Sequence, residues 1–300
     1  MPKKIALISR DNGVGLSLDV KLLTDLFESA GHEVAFYDWQ ARQMPRVDVA
    51  IHLELIGREL ARCADRNIGI LNLEWFPTEW LRWLPAFDQI WAKSAFAYQF
   101  CRMRGGRDVR LMGFLGRDMY DPNIPRKPTV LHLRGRSSMK GTEQVVEAWS
   151  KNPDLPSLTI VSKDPVHAPD YVDIVHNPSD AELSKIINEC RIHVCPSIAE
   201  GWGHYITEGM SVGATIVTTD ASPMNEHIRP EWGYLLKVTH EGKHHQARQT
   251  FTSADFIAEA VRRAVDLGSE GRDRVGSQAR MHFIKRNDFF RREALRLIGS

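Results

Sequence analysis

Two carboxylates, Glu200 and Glu208, flank a glycine-bracketed turn in the stretch Pro196-Ser197-Ile198-Ala199-Glu200-Gly201-Trp202-Gly203-His204-Tyr205-Ile206-Thr207-Glu208-Gly209-Met210. A carboxylate accepts two hydroxyl hydrogen bonds side by side. A Gly-x-Gly turn that opens a helix aims bare backbone N–H groups at an anion. Together they suit a ligand that carries both sugar hydroxyls and a diphosphate, which describes a nucleotide sugar. An apolar run, Ile192 to Cys195, predicts a strand before the turn, and small residues predict a helix after it. With the helix starting near Gly203, Glu200 sits in the loop and Glu208 more than a turn into the helix, so a ligand draped over the helix start reaches both. The plainer alternative is a solvated helix acid and an ordinary loop acid. The flanking Pro-Ser, Gly-x-Gly and Gly-Met weigh against it.

A second segment, Leu133-Arg134-Gly135-Arg136-Ser137-Ser138-Met139-Lys140-Gly141, ends a strand and gathers cations in a glycine-flanked loop before a helix. A pyrophosphate leaving group gains charge as its bond to a sugar breaks, and fixed cations stabilise that charge most in the transition state. Arg grips two phosphate oxygens at once, whereas Lys acts as a point charge. Taken alone, the segment also reads as a solvated basic turn. A third segment, Asp11-Asn12-Gly13-Val14-Gly15-Leu16-Ser17, is a glycine turn after the first predicted strand. It lies where α/β sheets bind ligands, so Gly13 and Gly15 are read as facing phosphate or acceptor. It is not a full G-x-G-x-x-G, and tight turning without ligand contact reads it equally well.

Elements must hold these groups in place, and the chain supplies them in alternation. Lys4 to Ser9, Glu33 to Tyr37, Val47 to Leu53 and Gly69 to Leu73 are predicted strands, with a helix over Leu16 to Ala30. A helix broken near Pro85, a strand over Gln89 to Ala92 and a helix over Ser94 to Arg104 follow. Asp121-Pro122-Asn123-Ile124-Pro125-Arg126-Lys127-Pro128 fits no helix interior or central strand and marks a linker. The pattern then restarts: strands at Thr129 to Leu133, Ser157 to Val161, Val172 to Val175, Ile192 to Cys195 and Ala214 to Thr218, helices at Gly141 to Trp149, Asp180 to Glu189 and Ala254 to Asp266, and a basic helix over Arg272 to Ile298. Such alternation implies parallel α/β sheets. The expected division is 1–125, 126–275 and a final helix, 276–300, returning to the first domain.

Composition bounds the rest. Three hundred residues with 43% hydrophobic content suit two compact domains, and a net charge of +1 gives no case for nucleic acid as the main partner. Cys63, Cys101, Cys190 and Cys195 form no C-x-x-C and read as buried thiols of a reducing cytosol. The apolar run at the N-terminus is too short for a signal peptide, and no stretch approaches ~18 apolar residues. A cytoplasmic protein is expected, with peripheral membrane contact left open by Trp75, Trp80, Trp83 and Trp91 and by Arg102, Arg104, Arg107, Arg110 and Arg117. Core packing and solvated helix ends explain those residues as well.

The chain resembles the retaining glycosyltransferases of the GT-B fold, of the large family 4 type. Their pattern reads roughly P-S-x-x-E-G-F-G-x-x-x-x-E-A-M-x-x-G-x-P-V-V. Pro196, Ser197, Glu200, Gly201, Trp202, Gly203, Glu208, Met210 and Gly213 match it, and Ile216-Val217 continue it. The family's G-R…K-G loop corresponds to Gly135-Arg136 and Lys140-Gly141, and its G-H-x-V to Gly31-His32-Glu33-Val34. The resemblance covers residues 129–300 well and 1–125 loosely. Trp202 replaces the usual Phe and Gly209 the usual Ala. The basic loop is about a residue short, which lets Arg134 share the role of Arg136.

The resemblance implies two Rossmann-like domains facing each other across a cleft, with the donor on the second domain and the acceptor on the first. Glu200 would hold donor-sugar hydroxyls, Glu208 the nucleotide ribose, and Arg136 and Lys140 the diphosphate. Backbone N–H groups of Gly201, Trp202, Gly203 and His204 would touch sugar and phosphate, and Val175 and His176 would lie near the base. Members often place a His of the first domain near the donor sugar; His52 and Glu74, each closing a predicted strand, are the candidates here. A packed core histidine and a charged cap are their plainer readings. The expected activity is transfer of a hexose-type sugar from a nucleoside diphosphate to an acceptor hydroxyl, with retained configuration. No Asp-x-Asp is found, so no metal and no other cofactor is expected. The alternatives are a catalytically silent nucleotide-sugar-binding protein, or another GT-B enzyme such as an epimerase or a phosphorylase. Sugar, base, acceptor and oligomeric state are not specified by the residues.

Overall fold

The computed structural model of the chain describes residues 1–13 and 15–299. Val14 of the glycine turn and Ser300 of the final segment lie outside the described residues. The chain divides into two compact units. The first comprises Met1–Leu115, His244–Ala247 and the residues from Arg286 on; the second comprises Gly116–Lys243 and Arg248–Lys285. The division falls between Leu115 and Gly116, ahead of the proline-rich stretch.

In the first unit the chain runs β1 (Lys4–Ser9), α1 (Gly15–Ser29), β2 (Glu33–Asp38), β3 (Val47–Leu53), α2 (Arg58–Ala61), β4 (Ala64–Ile70), β5 (Gln89–Ala92), α3 (Ala95–Met103) and β6 (Val109–Leu111). The strands form one parallel sheet in the order β2-β1-β3-β4-β5-β6. Ile5, Leu7 and Ile8 of β1 are buried, as a strand covered on both faces requires. Helix α1 buries Leu16, Leu23, Leu26 and Phe27 against the sheet and stops at Gly31, whose φ of 82° an L side chain rarely adopts. Phe290, near the C-terminus, packs edge-on against Trp91 and Phe114 of this unit.

In the second unit the chain runs β7 (Lys127–Gly135), α4 (Thr142–Lys151), β8 (Leu158–Ser162), β9 (Asp173–His176), α5 (Asp180–Glu189), β10 (Cys190–Cys195), α6 (His204–Ser211), β11 (Thr215–Thr219), α7 (Met224–His227) and β12 (Gly233–Leu236). A hairpin of β13 (His240–His244) and β14 (Ala247–Phe251), then α8 (Ala254–Asp266) and α9 (Gly268–Gly299), complete the chain. The second sheet is also parallel, in the order β12-β11-β10-β7-β8-β9. Its central strands bury Val130, Leu131, Ile192, Val194, Ile216 and Val217. Ser179 and Glu182 form a reciprocal capping box that starts α5.

Several elements differ from expectation. Strand β4 starts at Ala64, earlier than the apolar run at Gly69, because its first half carries the polar side chains Asp65, Arg66 and Asn67. These are held in place: Asn67 N–H donates to Asp88 (2.7 Å), and Arg66 donates to the Leu297 carbonyl. Leu73–Trp75 is a short 3-10 turn at the end of β4 rather than strand, and a second 3-10 segment, Thr78–Ala86, holds Pro85. Strands β6 and β12 and the hairpin were not anticipated. Strand β13 reads His-Glu-Gly-Lys-His, with no apolar alternation to announce it.

Candidate functional site

The second sheet reverses its winding between β10 and β7: successive strands are added outward through β8 and β9 on one side and through β11 and β12 on the other. Loops leaving the carboxyl ends of two such strands diverge and open a crevice, the usual ligand position in open α/β sheets. The loop after β7 carries Arg136 and Lys140, and the loop after β10 carries Glu200. Fold topology alone therefore brings together the two segments singled out by residue type.

Their side chains meet. Lys140 Nζ donates to Glu200 Oε1 at 2.5 Å, with the two side chains 17% and 12% exposed. Ser197 Oγ donates to the same oxygen (2.5 Å) and lies 2.5 Å from the Tyr205 hydroxyl, which then donates to Ser197. Lys140 Nζ also sits 4.0 Å from the centre of the Tyr205 ring. Burial, with the thiol of Cys195 and the carboxylate of Glu200 adding to it, pushes the Tyr205 phenol well above its usual range, so it stays a protonated donor.

Backbone geometry holds this cluster. Gly141 joins the basic loop to α4 at φ 68°, and a Cβ there would lie 2.3 Å from the Pro196 carbonyl oxygen. Only glycine lets the two loops approach so closely. His132 on β7 is fully buried beneath them, with Nδ1 2.9 Å from the Val194 carbonyl and Nε2 2.8 Å from Thr142 Oγ1. Burial holds its pKa at about 4, with Lys140 and Arg134 pressing the same way. The neutral ring thus donates through Nδ1 and accepts from Thr142, tying β7, β10 and the start of α4 together. Ile198 N–H donates to the Met139 carbonyl (2.8 Å), and Thr250 N–H on β14 donates to the Ile198 carbonyl (2.8 Å). The unanticipated hairpin thus anchors the Glu200 loop.

Helix α6 opens at Gly203, in the left-handed region at φ 91°. The first N–H groups of a helix have no intrahelical acceptor, and they carry its positive dipole end. Gly201 and His204 border this opening and are partly exposed. Trp202 is turned inward: its ring meets buried His227 edge-on at 4.4 Å, and His227 Nε2 lies 2.7 Å from the Trp202 carbonyl. Its backbone remains at the junction while its side chain fills the core. Glu208 lies further along α6, 8% exposed at the side chain, and accepts from Arg117 Nε (3.1 Å) and from an Arg117 terminal nitrogen (2.9 Å). Gly209 follows because a Cβ would sit 2.6 Å from His193 Nδ1 and 2.7 Å from Ile216 Cδ1.

Arg134 and Arg136 differ sharply. Arg134 donates to Ser162 Oγ and to the carbonyls of Asp164 and Pro165, and so is committed to the loop after β8. Arg136 is exposed and forms no hydrogen bond or ion pair with the described residues. Val175 and His176 end β9; Val175 is half-buried, and His176 Nδ1 lies 3.3 Å from the Ser162 carbonyl.

In the first unit, Gly13 stands at φ 64°, and its N–H donates to Asp11 (3.1 Å) and to Ser17 Oγ (2.8 Å). Gly15 begins α1. Asp11 is held below the usual carboxylate range, first by Ser17 and then by the Gly13 N–H. His52 is fully buried in β3: its Nε2 lies 3.0 Å from Asn67 Oδ1, its Nδ1 accepts from the Gly57 N–H, and its ring meets Phe87 edge-on. Burial lowers its pKa to about 4. The structure therefore places His52 in the packed core, with both ring nitrogens occupied. Glu74 is half-buried in the 3-10 turn Leu73–Trp75.

The first sheet has its own winding reversal, between β1 and β3, and sequence reading missed what stands there. Arg10, just past β1, pairs with Glu54, just past β3. Glu54 is almost fully buried, at a backbone φ of 64° that is uncommon for a side chain of this type. Asn72 donates to its other oxygen (3.3 Å), and buried Lys93 bridges Asn72 (3.0 Å) and Asp19 (2.7 Å). Arg10, Glu54, Asn72 and Lys93 each directly follow, or nearly follow, the end of a strand, a position the sequence shows, although which of them pair it does not. Among the described residues no cluster of His, Cys, Asp and Glu is placed to hold a metal ion, and no helix is long and apolar enough to cross a membrane.

Comparison with known proteins agrees with this geometry. Residues 119–281, more than half of the chain, match the profile of the family described as "Glycosyl transferases group 1". No curated protein matches the chain. Among solved structures, a glycosyltransferase from Rickettsia africae ESF-5 superposes with a TM-score of 0.77 at 13% identity, covering 99% of this chain and 98% of the other. A sucrose-phosphate synthase from Thermosynechococcus elongatus gives 0.76 at 15% identity, with 98% of each chain covered. The Anabaena protein HepE, solved in complex with UDP-glucose, gives 0.73 at 14% identity, covering 99% of this chain and all of the other (100%). The likeness establishes the fold as GT-B, with two Rossmann-like parallel sheets.

Proposed function

Because the chain belongs to the group 1 glycosyl transferases, we propose that it transfers a hexose-type sugar from a nucleoside-diphosphate sugar to an acceptor hydroxyl, with retained anomeric configuration and without a metal ion. The observation that carries this reading is the meeting of Lys140, Glu200, Ser197 and Tyr205 at the winding reversal of the second sheet, next to the opening of α6. HepE, of the same fold, binds UDP-glucose.

Each group has a role that its surroundings suit. Glu200, oriented by Ser197 and Lys140, accepts donor-sugar hydroxyls. Lys140 is poised to exchange part of its contact with Glu200 for a phosphate oxygen, and exposed Arg136 closes on the diphosphate from solvent. The N–H groups at Gly201–His204 supply further donors to sugar or phosphate. Glu208 takes the ribose, and the ends of β8 and β9, with Val175 and His176, lie toward the base. As the bond from the anomeric carbon to phosphate oxygen breaks, Lys140 and Arg136 stabilise the charge left on that oxygen. The acceptor oxygen bonds to the anomeric carbon on the same face, and its proton passes to the departing phosphate. The acceptor is assigned to the first unit, where Arg10, exposed at the winding reversal of that sheet, is backed by the buried carboxylate of Glu54.

The test is turnover. UDP-, GDP- and ADP-linked hexoses are incubated with the protein, with and without EDTA, and release of nucleoside diphosphate is followed. The expected result is slow release from one donor, insensitive to EDTA and about 10²-fold slower in Lys140→Ala. Release from none of the donors, at concentrations where one of them binds, would favour the silent binding protein instead.

A further inference from the structure

We infer that Arg117 is a positioning residue for the nucleotide ribose, setting the Glu208 carboxylate with one oxygen reserved for a ribose hydroxyl; this rests on the donor reading above. Both contacts from Arg117, through Nε and a terminal nitrogen, fall on Glu208 Oε1. Oε2 accepts no hydrogen bond from the described residues, although the side chain is only 8% exposed. A carboxylate with one oxygen held by a fixed cation and the other left without a protein donor, open to solvent, is an acceptor prepared for a donor that arrives with a ligand. A planar guanidinium gripping one oxygen also fixes the rotation of the carboxylate, which a freely rotating ammonium does not do.

Arg117 is held in place from the other side. Its neighbour Gly116 runs so close to α6 that a Cβ there would lie 2.8 Å from both Thr207 Oγ1 and Phe283. Met119 N–H donates to Ser211 Oγ at the end of α6 (3.0 Å), and Arg280 grips Asp118 with both terminal nitrogens, at 2.9 and 3.1 Å. Asn188 accepts from Asp121 N–H (2.9 Å) and donates to the Met119 carbonyl (2.7 Å). The segment that carries Arg117 is thus fastened along α6, and a fastened donor orients its partner at little entropic cost on binding.

The experiment titrates UDP, GDP and ADP calorimetrically into the wild type, then compares the tightest of the three with its 2′,3′-dideoxy analogue. The wild type should prefer the ribose form by about tenfold or more. Glu208→Ala should abolish that preference. Arg117→Ala should reduce it to within about threefold, Arg117→Lys should restore it only in part, and the double variant should lose no more than Glu208→Ala alone. Arg117→Met, which keeps the packing stem, replaces Arg117→Ala if the latter fails to fold. Equal weakening of both nucleotides by Arg117→Ala or Arg117→Met would show a structural role and overturn the inference while leaving the donor site standing. An unchanged preference in Glu208→Ala, or binding of none of the three nucleotides by the wild type, would defeat the donor reading itself.

Discussion

At residue scale, close approach decides more than charge does. Gly141→Ala forces a Cβ into the Pro196 carbonyl at a left-handed backbone position, so the loss should exceed about 2 kcal/mol in a urea titration. Gly209→Ala drives a methyl into the His193 ring and should cost roughly 1–3 kcal/mol. Removing that imidazole as well, in Gly209→Ala/His193→Ala, should recover part of the loss; strict additivity of the two single changes would refute the steric account. Both glycines were visible in the sequence, but the reasons for them were not, because each reason lies on a different strand or loop. The histidine question shows the same limit. His52 ends an apolar run, and nothing local distinguishes a ligand-facing ring from one packed on Phe87 and bonded to Asn67. Two residues later, Glu54 leaves the strand at a left-handed φ and meets Arg10, a long-range pairing that no spacing rule announces.

At element scale, alternation of strand and helix made both sheets legible, since a parallel sheet buried on two faces leaves near-continuous apolar strands. Short or polar strands escaped. The β13–β14 hairpin is the consequential case, because Thr250 on it holds the Ile198 carbonyl beside Glu200 through both its N–H and its hydroxyl. The junction between the Glu200 loop and α6 is the most sensitive point of the arrangement. Gly203→Ala places a side chain at φ 91°, where an L residue costs about 1–2 kcal/mol, and relaxation of that strain would turn the first N–H groups of α6 away from the ligand. Its expected signature is weaker binding of a nucleotide sugar by tenfold or more, with a fall in melting temperature of only a few degrees. Undiminished affinity would mean that the helix opening does not touch the donor.

At the scale of the whole molecule, three fully or nearly fully buried imidazoles, His52, His132 and His193, each have a pKa lowered to about 4, chiefly by burial. An unfolded chain titrates its histidines near 6.5. Above that pH both states are neutral and the stability is complete; between about 6.5 and 4 only the unfolded state takes up protons, so stability falls as pH falls. Each ring contributes on the order of 3 kcal/mol across that window. The urea midpoint should hold steady from pH 8 to 7 and drop steadily from 6.5 to 4.5, and a flat profile would contradict this assignment. The rings lie in both units, so the pH response belongs to the folded chain as a whole and is separate from donor recognition. That recognition is tested most directly by calorimetric titration of UDP-glucose, GDP-mannose and ADP-glucose into the wild type, Lys140→Ala and Glu200→Ala. One of these donors should bind the wild type with a well-defined affinity, and each substitution should weaken it by at least about tenfold while the fold persists. Wild-type affinity in both variants would contradict the assignment of Lys140 and Glu200 to an activated sugar.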